Sequence, residues 1–556
     1  MISTSAFQSR VHSGQRGGFG SSFALVRAGA MIGALVVSAT VGFSPQASAA
    51  PTFVYCSEGS PRTFNPQMGT DGPTFNASSR TIYNRLIDFE KGGTKLLPSL
   101  AESWTVSKNK MEVTFKLRKD VEFQTTPWFT PTRKFNADDV VFTFGRMMKK
   151  DHPYNRVNGG VYEYFTSMEM DKLISEVKKT DDHTVTFVLT RPETPFLANL
   201  AMDFASILSA EYGDKLLAAK TPEKMDLEPV GTGPFKFVRY EKDSQIRYEA
   251  HAKYFDGASK IDKLVFAITV DPSVRSQKLK RGECQLVAEP SVLDLESLRK
   301  EASVSVVERE GLNVGYLAIN VEKKPFGDRR VREALAKALN RKSYLEAIYQ
   351  GQAMVAKNPI PPSMWSYNAS IKDTEQDVAG ARKLLTEAGY PQGFETTLWY
   401  MPVSRPYNPN AKKMAEMMQS DLEKIGVKVK LVSYEWGTYL DKARKGEHDL
   451  LLIGWTGDNG DPDNFLGTLL SCAAVTGGAN YARWCNKEFD KLVTDARQAP
   501  DIKTRTKLYQ KAQEVFKREL PWVTLAHAKA FRAMDKRVKG YVMSPFGTDS
   551  FYGVDL

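Results

Sequence analysis

The chain has 556 residues, of which 42% are hydrophobic and 25% charged, a composition typical of globular proteins and unlike disordered, collagen-like or coiled-coil chains. Its length is enough for about two to four domains. Six histidines and four cysteines, with no Cys-x-x-Cys pair, argue against a multi-ligand metal site. The formal net charge is +11, but the basic residues are interleaved with acidic residues along the chain. We therefore expect a solvated surface of mixed sign rather than a nucleic-acid interface.

Residues 1–49 have the pattern of a cleaved secretory signal. They contain three arginines and no lysine or acidic residue, and an apolar run at 28–43 precedes the sequence QASA, which ends at Ala49. A membrane anchor is the alternative, but this run is shorter than the ~18 to 20 apolar residues needed to span a bilayer. We therefore predict cleavage after Ala49 and export of the remaining chain.

The four cysteines suggest two disulfides in an exported protein, although three pairings are possible for four residues. Cys472 and Cys485 are close in sequence and flank a glycine-containing turn, so they form the natural local pair. Cys56 and Cys284 would then join the start of the exported chain to a distant segment. A free thiol nucleophile is the weaker alternative, because no candidate base lies near any cysteine in the sequence.

The first half of the exported chain contains both strand-like and helical patterns. Alternating apolar residues predict strands at 111–117 and 183–190, and an apolar run predicts a buried strand at 261–270. Apolar residues at helical spacing predict a helix within 135–150, with Asn136 as its N-cap.

Helices and strands alternate more regularly from residue 328 onwards. Strand-like runs at 311–320 and 521–528 lie on either side of this part of the chain. We therefore expect two lobes joined by two crossings, near 311–320 and 521–530, rather than domains connected end to end.

The segment 395–464 is the most informative part of the sequence. It predicts alternating strands and helices at 395–401, 410–426, 427–434, 436–446 and 449–455. Strands connected in this way are parallel, with right-handed crossovers. The loops after the first and third strands therefore leave the same carboxyl edge of one sheet, where ligands of open α/β sheets bind.

These two loops carry opposite charges. Arg405 and Tyr407 lie in the first loop, and Asp458 lies in the second. Arginine can bind a carboxylate through two hydrogen bonds and aspartate can accept from an ammonium group, so the pair suits a zwitterion. The alternatives are a simple turn after Asp458 and a solvated arginine. A calcium loop is disfavoured because Asp463 and Leu469 replace the glycine and glutamate that it requires.

Sequence signatures of enzymes are missing. No nucleophile elbow, phosphate-binding P-loop or His-Glu-x-x-His motif occurs, and the five histidines after residue 49 are scattered. We expect His183 at the surface and His527 in the core or a crevice, neither acting as a base or a metal ligand. The prediction is a protein with no enzymatic activity, no cofactor and no metal, although the sequence leaves an unmarked pair of acid–base carboxylates open.

Segments along the whole exported chain resemble the extracellular solute-binding proteins of family 5, the substrate receptors of bacterial ABC importers. The motif GTGPF (231–235) and the segment FNADDVVFTFGR (135–146) are typical of the broad family. Its periplasmic dipeptide-binding branch is indicated by MPVSRPYNPN (401–410) and WTGDNGDPDN (455–464). VYCSEGSPRTFNPQ (54–67) extends the resemblance to the start of the exported chain.

The resemblance implies an α/β fold of two lobes that close on the ligand about a hinge, the type II periplasmic-binding-protein fold with an extra subdomain. The first lobe would comprise residues 50–310 and 521–556, with the subdomain inserted at roughly 96–225. The second lobe would comprise residues 311–520. The resemblance also implies the disulfide pairing reasoned above.

The resemblance assigns roles to individual residues as well. Arg405 would hold the carboxylate of a bound dipeptide, and Asp458 its ammonium group. The other ligand contacts would be Thr70, Pro406, Tyr407, Trp455, Thr456 and Gly457. Each additional residue moves the carboxylate of an extended peptide by ~3.3 to 3.6 Å, so longer peptides would not reach both anchors.

We therefore expect a monomeric receptor in the periplasm of a Gram-negative bacterium that delivers dipeptides to an inner-membrane ABC permease. A chemoreceptor is an optional further partner, and nucleic acid is not expected. The alternatives are a family 5 receptor for another ligand, such as an oligopeptide, haem or a metal chelate, and, less favoured, an exported peptidase.

Overall fold

The computed structural model describes residues 52–556, so the predicted secretory signal lies outside the described residues. None of the helices in this part of the chain combines the length and the hydropathy that a membrane span requires. The strands are numbered in chain order as β1 (Thr52–Ser57), β2 (Ile87–Phe89), β3 (Leu96–Pro98), β4 (Ala101–Val106), β5 (Glu112–Leu117), β6 (Ile174–Asp181), β7 (Thr184–Leu189), β8 (Phe235–Glu241), β9 (Gln245–Ala250), β10 (Lys263–Ile268), β11 (Leu286–Ala288), β12 (Val304–Arg309), β13 (Asn313–Ile319), β14 (Ala353–Val355), β15 (Glu395–Trp399), β16 (Lys428–Val432), β17 (Leu450–Thr456), β18 (Trp522–Ala528) and β19 (Ala530–Asp535).

The α-helices are numbered in the same way. They are α1 (Gly72–Ala77), α2 (Ala137–Met148), α3 (Glu163–Ser167), α4 (Met170–Leu173), α5 (Phe196–Leu200), α6 (Ala210–Ala218), α7 (Pro272–Lys280), α8 (Leu295–Lys300), α9 (Arg329–Ala338), α10 (Arg341–Tyr349), α11 (Val378–Glu387), α12 (Ala411–Glu423), α13 (Trp436–Arg444), α14 (Asp463–Leu470), α15 (Ala474–Gly477), α16 (Lys487–Gln498) and α17 (Ile502–Glu519).

The first lobe is built on a seven-stranded sheet with the order β12-β19-β11-β1-β10-β9-β8. Its central strand β1 pairs in parallel with β10 and β11, so the chain leaves these three strands at the same edge. A separate four-stranded antiparallel sheet, β4-β5-β7-β6, is formed by residues 101–189, within the range predicted for the inserted subdomain.

The second lobe is built on a six-stranded sheet with the order β14-β18-β13-β17-β15-β16. Strand β15 pairs in parallel with both β16 and β17, which confirms the parallel arrangement predicted for 395–455. Strand β17 is buried along nearly its whole length, as its continuous apolar sequence predicted. The fold is thus α/β with two lobes, as expected.

The chain crosses between the two sheets twice. The first crossing lies between β12 and β13, near the predicted position. The second lies at Lys529, because β18 belongs to the six-stranded sheet and β19 to the seven-stranded sheet. We therefore propose that the second lobe extends to Ala528, whereas the predicted boundary assigned residues from 521 onwards to the first lobe.

Local signals in the sequence predicted individual elements well. Helix α2 begins after Asn136, whose side-chain oxygen accepts a hydrogen bond from the Asp138 N–H at 3.0 Å. Helix α12 begins after Asn410 and is followed by Gly426, which has a φ of 80°, a backbone conformation that favours glycine. The strands predicted at 111–117, 183–190 and 261–270 correspond to β5, β7 and β10.

Both predicted disulfides are present. Cys56 at the end of β1 is bonded to Cys284, just before β11, and their Cα atoms are 5.8 Å apart. Cys472 is bonded to Cys485, with Cα atoms 4.5 Å apart. Each disulfide joins two residues of one lobe, and the described part of the chain contains no free cysteine.

Candidate functional site

The two loops predicted to carry the ligand anchors leave adjacent parallel strands of the second lobe. The loop after β15 contains Arg405 in a tight turn, in which the N–H of Arg405 donates to the carbonyl of Asn408 at 3.1 Å. The loop after β17 contains Asp458, whose N–H donates to Oδ1 of Asn464 at 2.9 Å. Both side chains therefore lie at the carboxyl edge of one sheet.

A glycine of β17 makes room for the Arg405 loop. A side chain at Gly454 would overlap the ring of Tyr407, and its Cβ would lie 2.5 Å from the Val314 carbonyl oxygen. The Tyr407 carbonyl accepts a hydrogen bond from the Tyr349 hydroxyl at 2.6 Å. Strand β17 and helix α10 thus both hold the loop in place.

A cavity that opens to solvent lies between the two lobes. Seven of the eight predicted ligand-binding residues line it, namely Thr70, Arg405, Pro406, Tyr407, Trp455, Thr456 and Asp458. Gly457 is not among the lining residues. Its N–H donates to the Leu312 carbonyl at 2.7 Å, and a Cβ at this position would lie 2.7 Å from the Phe465 ring.

The guanidinium of Arg405 is buried and bridges to the first lobe. Its Nη1 is 3.1 Å from Oε1 of Glu58, and its Cζ lies 4.7 Å from the centre of the Trp436 ring. Its Nη2 has no hydrogen-bond partner among the described residues. Burial alone would lower the pKa of Arg405, but nearby carboxylates, above all Glu58, raise it. The arginine is therefore a fixed cation with one free donor group.

The carboxylate of Asp458 is buried and also contacts the first lobe. Its Oδ2 accepts a hydrogen bond from the Tyr164 hydroxyl at 2.6 Å. Burial raises the pKa of Asp458 to about 7, against the lowering effect of the Tyr164 hydrogen bond. A cationic group placed beside Asp458 would favour its ionised form, so the site is suited to an ammonium group.

The first lobe contributes Thr70 and Asp71 to the lining of the cavity. The Thr70 hydroxyl donates to Oε2 of Glu163 at 3.0 Å. Asp71 is the N-cap of α1, because its Oδ1 accepts from the Thr74 N–H at 3.2 Å. Burial raises the pKa of Asp71 above its ordinary value. Both residues therefore line the cavity as parts of an ordered hydrogen-bond network.

Several cavity residues were not predicted from the sequence, among them Glu58, Glu289 and Trp436. Glu58 directly follows β1, a parallel strand, so the rule that singled out Arg405 and Asp458 applies to it as well. The sequence did not reveal that β1 is a parallel strand, because the strands that pair with it lie far along the chain, at Lys263–Ile268 and Leu286–Ala288.

The other acidic residues of the Asp458 loop and His527 make local contacts. Asp461 and Asp463 form ion pairs with Arg505 at 2.9 Å and Arg497 at 2.7 Å. His527 is buried, as expected, and its Nδ1 is 2.8 Å from the carbonyl oxygen of Asn313. Burial lowers its pKa to about 4, so this imidazole is neutral at physiological pH.

Comparison with known proteins gives consistent matches along the chain. Residues 95–477, more than half of the chain, match the family model of bacterial extracellular solute-binding proteins, family 5. The dipeptide-binding protein of Escherichia coli K12 is 52% identical over 94% of this chain and 98% of its own. Heme-binding protein A of Haemophilus influenzae is 48% identical over 91% of this chain and 92% of its own.

A solved structure matches closely as well. It is the dipeptide-binding protein of Pseudoalteromonas sp. SM9913 in complex with Met-Leu, with a TM-score of 0.89 and 42% identity. The match covers 91% of this chain and all of that one.

Proposed function

Since this chain belongs to the bacterial extracellular solute-binding proteins of family 5, we propose that it is the receptor of an ABC importer and that its ligands are dipeptides. Family 5 proteins are transport receptors rather than enzymes, and relatives named for dipeptide binding match over nearly the whole chain. The Pseudoalteromonas relative, with Met-Leu bound, supports a ligand of this size.

The observation that carries the proposal is the presence of Arg405 and Asp458 in one cavity between the lobes. We propose that Arg405 binds the carboxylate of the dipeptide and that Asp458 accepts from its ammonium group. A buried charge left without its partner costs roughly 2 to 5 kcal/mol, so a peptide must satisfy both anchors. The distance between the anchors then selects the length of the peptide, while its side chains remain variable.

We further propose how the receptor works in transport. The two lobes close on the dipeptide by a hinge motion, and the permease recognises this closed form. Closure is supported by the two crossings that join the lobes and by the cavity that both lobes line.

The setting of the receptor is likewise a proposal. The sequence of residues 1–49 supports export by a cleaved signal to the periplasm of a Gram-negative bacterium. We propose that the receptor acts as a monomer, and that its closed form is also the form that a chemoreceptor would read.

Titration calorimetry tests the clamping of both termini. We expect Met-Leu to bind, and N-acetyl-Met-Leu and a pentapeptide to bind at least about tenfold more weakly. Arg405→Ala should weaken Met-Leu binding by a similar factor. Equal affinity for Met-Leu and its acetylated form would contradict the role of Asp458.

Two alternatives, a receptor for haem and an exported peptidase, are tested by separate measurements. The similarity to heme-binding protein A makes haem the second candidate, and titration with haem under the same conditions compares the two ligands directly. Native mass spectrometry of the purified protein identifies any ligand that it retains. An exported peptidase would release amino acids from Met-Leu, whereas a receptor returns the peptide intact.

A further inference from the structure

Glu58 contacts Arg405, the residue proposed to bind the carboxylate of the ligand. Among residues 52–556, Arg405 is the only basic side chain in ion-pair contact with Glu58. The neighbouring Arg275 is saturated by main-chain carbonyls, including those of Ala288 at 2.8 Å and Glu289 at 2.7 Å. Arg275 therefore acts on Glu58 only through space, and the direct contact of Glu58 is with Arg405.

The ion pair is made through one atom on each side. Arg405 Nη1 and Glu58 Oε1 are 3.1 Å apart, whereas Arg405 Nη2 and Glu58 Oε2 are buried without partners among the described residues. An arginine and a carboxylate usually reach full strength when both nitrogens and both oxygens are paired. A ligand carboxylate placed across both nitrogens would satisfy the guanidinium better than Glu58 does.

The ion pair also joins the two lobes. Glu58 follows β1 of the first lobe, and Arg405 lies in the loop after β15 of the second. Glu58 thus makes the same link between the lobes that a bound carboxylate would make. A ligand carboxylate bound to the same buried guanidinium would be repelled by the carboxylate of Glu58.

We infer that Glu58 is an internal competitor for Arg405, a carboxylate that the ligand must displace and that lowers the affinity of the receptor for peptide carboxylates. This inference rests on the proposed function, because it assigns Arg405 to the carboxylate of the ligand. Displacement of Glu58 is compensated only when the ligand is also anchored at Asp458. Glu58 thereby selects against simple carboxylates that have no ammonium group.

Titration calorimetry with Met-Leu tests the inference on the Glu58→Gln variant, which keeps the size of the side chain and removes its charge. We expect Glu58→Gln to bind Met-Leu at least fivefold more tightly than the wild type. The gain should disappear with the C-terminal amide of Met-Leu, and also when Glu58→Gln is combined with Arg405→Gln. N-acetyl-Met-Leu should gain at least as much as Met-Leu, because Glu58 no longer excludes it.

Asp71→Asn is the matched control. It removes another cavity carboxylate whose charge also acts on Arg405, but which forms no ion pair or hydrogen bond with Glu58 or Arg405, and it keeps a good N-cap for α1. Equal gains for Asp71→Asn and Glu58→Gln would show a general effect of cavity charge and would overturn the inference. Thermal unfolding checks that each variant is folded, and Glu58→Asp, whose shorter side chain draws back from Arg405, provides a second variant with an expected gain of at least twofold.

The outcomes also separate the inference from the proposed function. Failure of the wild type to bind Met-Leu contradicts the proposed function and the inference with it. Binding by the wild type, with unchanged or weaker binding by Glu58→Gln, contradicts the inference alone. In that case Glu58 would be a positioning residue or a ligand contact.

Discussion

Asp458 combines two properties that are in conflict in the absence of a ligand. It is buried, which raises its pKa to about 7, and its proposed role requires the ionised form. The Tyr164 hydroxyl stabilises the carboxylate through one hydrogen bond, and a ligand ammonium group would supply the opposite charge that the site lacks. Ligand affinity and protonation are therefore linked at this residue.

This linkage predicts the pH dependence of binding. Below pH 7 the carboxyl of Asp458 is protonated in the free receptor and must release its proton before it accepts from an ammonium group. The affinity for Met-Leu should therefore be highest near pH 7 and fall as the pH decreases, by up to about tenfold per unit. Above about pH 8 it should fall again, because the α-amino group of the peptide, whose ordinary pKa is about 7.7 to 8.0, loses its proton. Calorimetry at pH 5 to 8, in buffers of different ionisation enthalpy, measures both the affinity and the proton released. An Asp458→Asn variant whose affinity fell equally with pH would contradict this assignment.

Replacement of Asp458 should also increase the thermal stability of the ligand-free protein. The folded-state pKa of about 7 exceeds the ordinary value of 3.8, so burial of the charge destabilises the fold above pH 7, and this cost is relieved as the pH falls from 7 towards 4. Asp458→Asn should raise the melting temperature of the ligand-free protein at pH 8 and leave it nearly unchanged at pH 4. Differential scanning calorimetry at the two pH values tests this, and a lower melting temperature at pH 8 would refute it.

At the scale of elements, the packing of the Arg405 loop against β17 depends on a glycine. The Tyr407 ring lies where a side chain of Gly454 would be. Arg405 lies in the same tight turn as Tyr407, so a displacement of Tyr407 moves the proposed carboxylate anchor with it.

Gly454→Ala should therefore weaken Met-Leu binding at least about fivefold, because positioning of a charged anchor tolerates little displacement. Gly145→Ala is the control, since a Cβ there lies 3.4 Å from the His152 ring, an ordinary contact, within helix α2. Calorimetry of both variants separates the local effect from a general one. Unchanged binding by Gly454→Ala would show that the loop adapts.

The elements that follow from local patterns were predictable, and those that depend on distant partners were not. The strands β15, β16 and β17 and their parallel order followed from the alternating segments of one continuous stretch, 395–455, and this placed Arg405 and Asp458 on one edge. Glu58 was missed because β10 and β11, which define its sheet edge, come much later in the chain. The sequence did not reveal that β18 belongs to the six-stranded sheet, because a buried strand has the same sequence pattern in either sheet.

At the scale of the whole molecule, ion pairs between residues that do not line the cavity connect the lobes. Arg444 of the second lobe pairs with Glu163 of the first, and Arg62 Nη1 of the first lobe is 3.4 Å from Oδ1 of Asp441 in the second. Arg497 extends the contact elsewhere, with its Nη1 3.3 Å from Oε2 of Glu169. These groups stabilise the contact between the lobes, and neither Arg444 nor Arg497 lines the cavity.

Arg444→Ala should consequently weaken the binding of all dipeptides by a similar factor, about threefold to tenfold, because it shifts the equilibrium away from the closed form. The change should lie mainly in the dissociation rate, measured by stopped-flow fluorescence. Lys491→Ala is the control, because Lys491 pairs with Asp495 on the surface of one helix. A large effect on one dipeptide and none on another would point instead to a direct contact with the ligand.

The positions of the two disulfides have a consequence for the life of the protein outside the cytoplasm. Cys56–Cys284 lies within the first lobe and Cys472–Cys485 within the second, so no disulfide among the described residues joins the two lobes. The disulfides can therefore stabilise each lobe against heat and proteolysis without restricting the proposed hinge motion. The cross-links thus stabilise the interior of each lobe and leave the proposed movement between the lobes free.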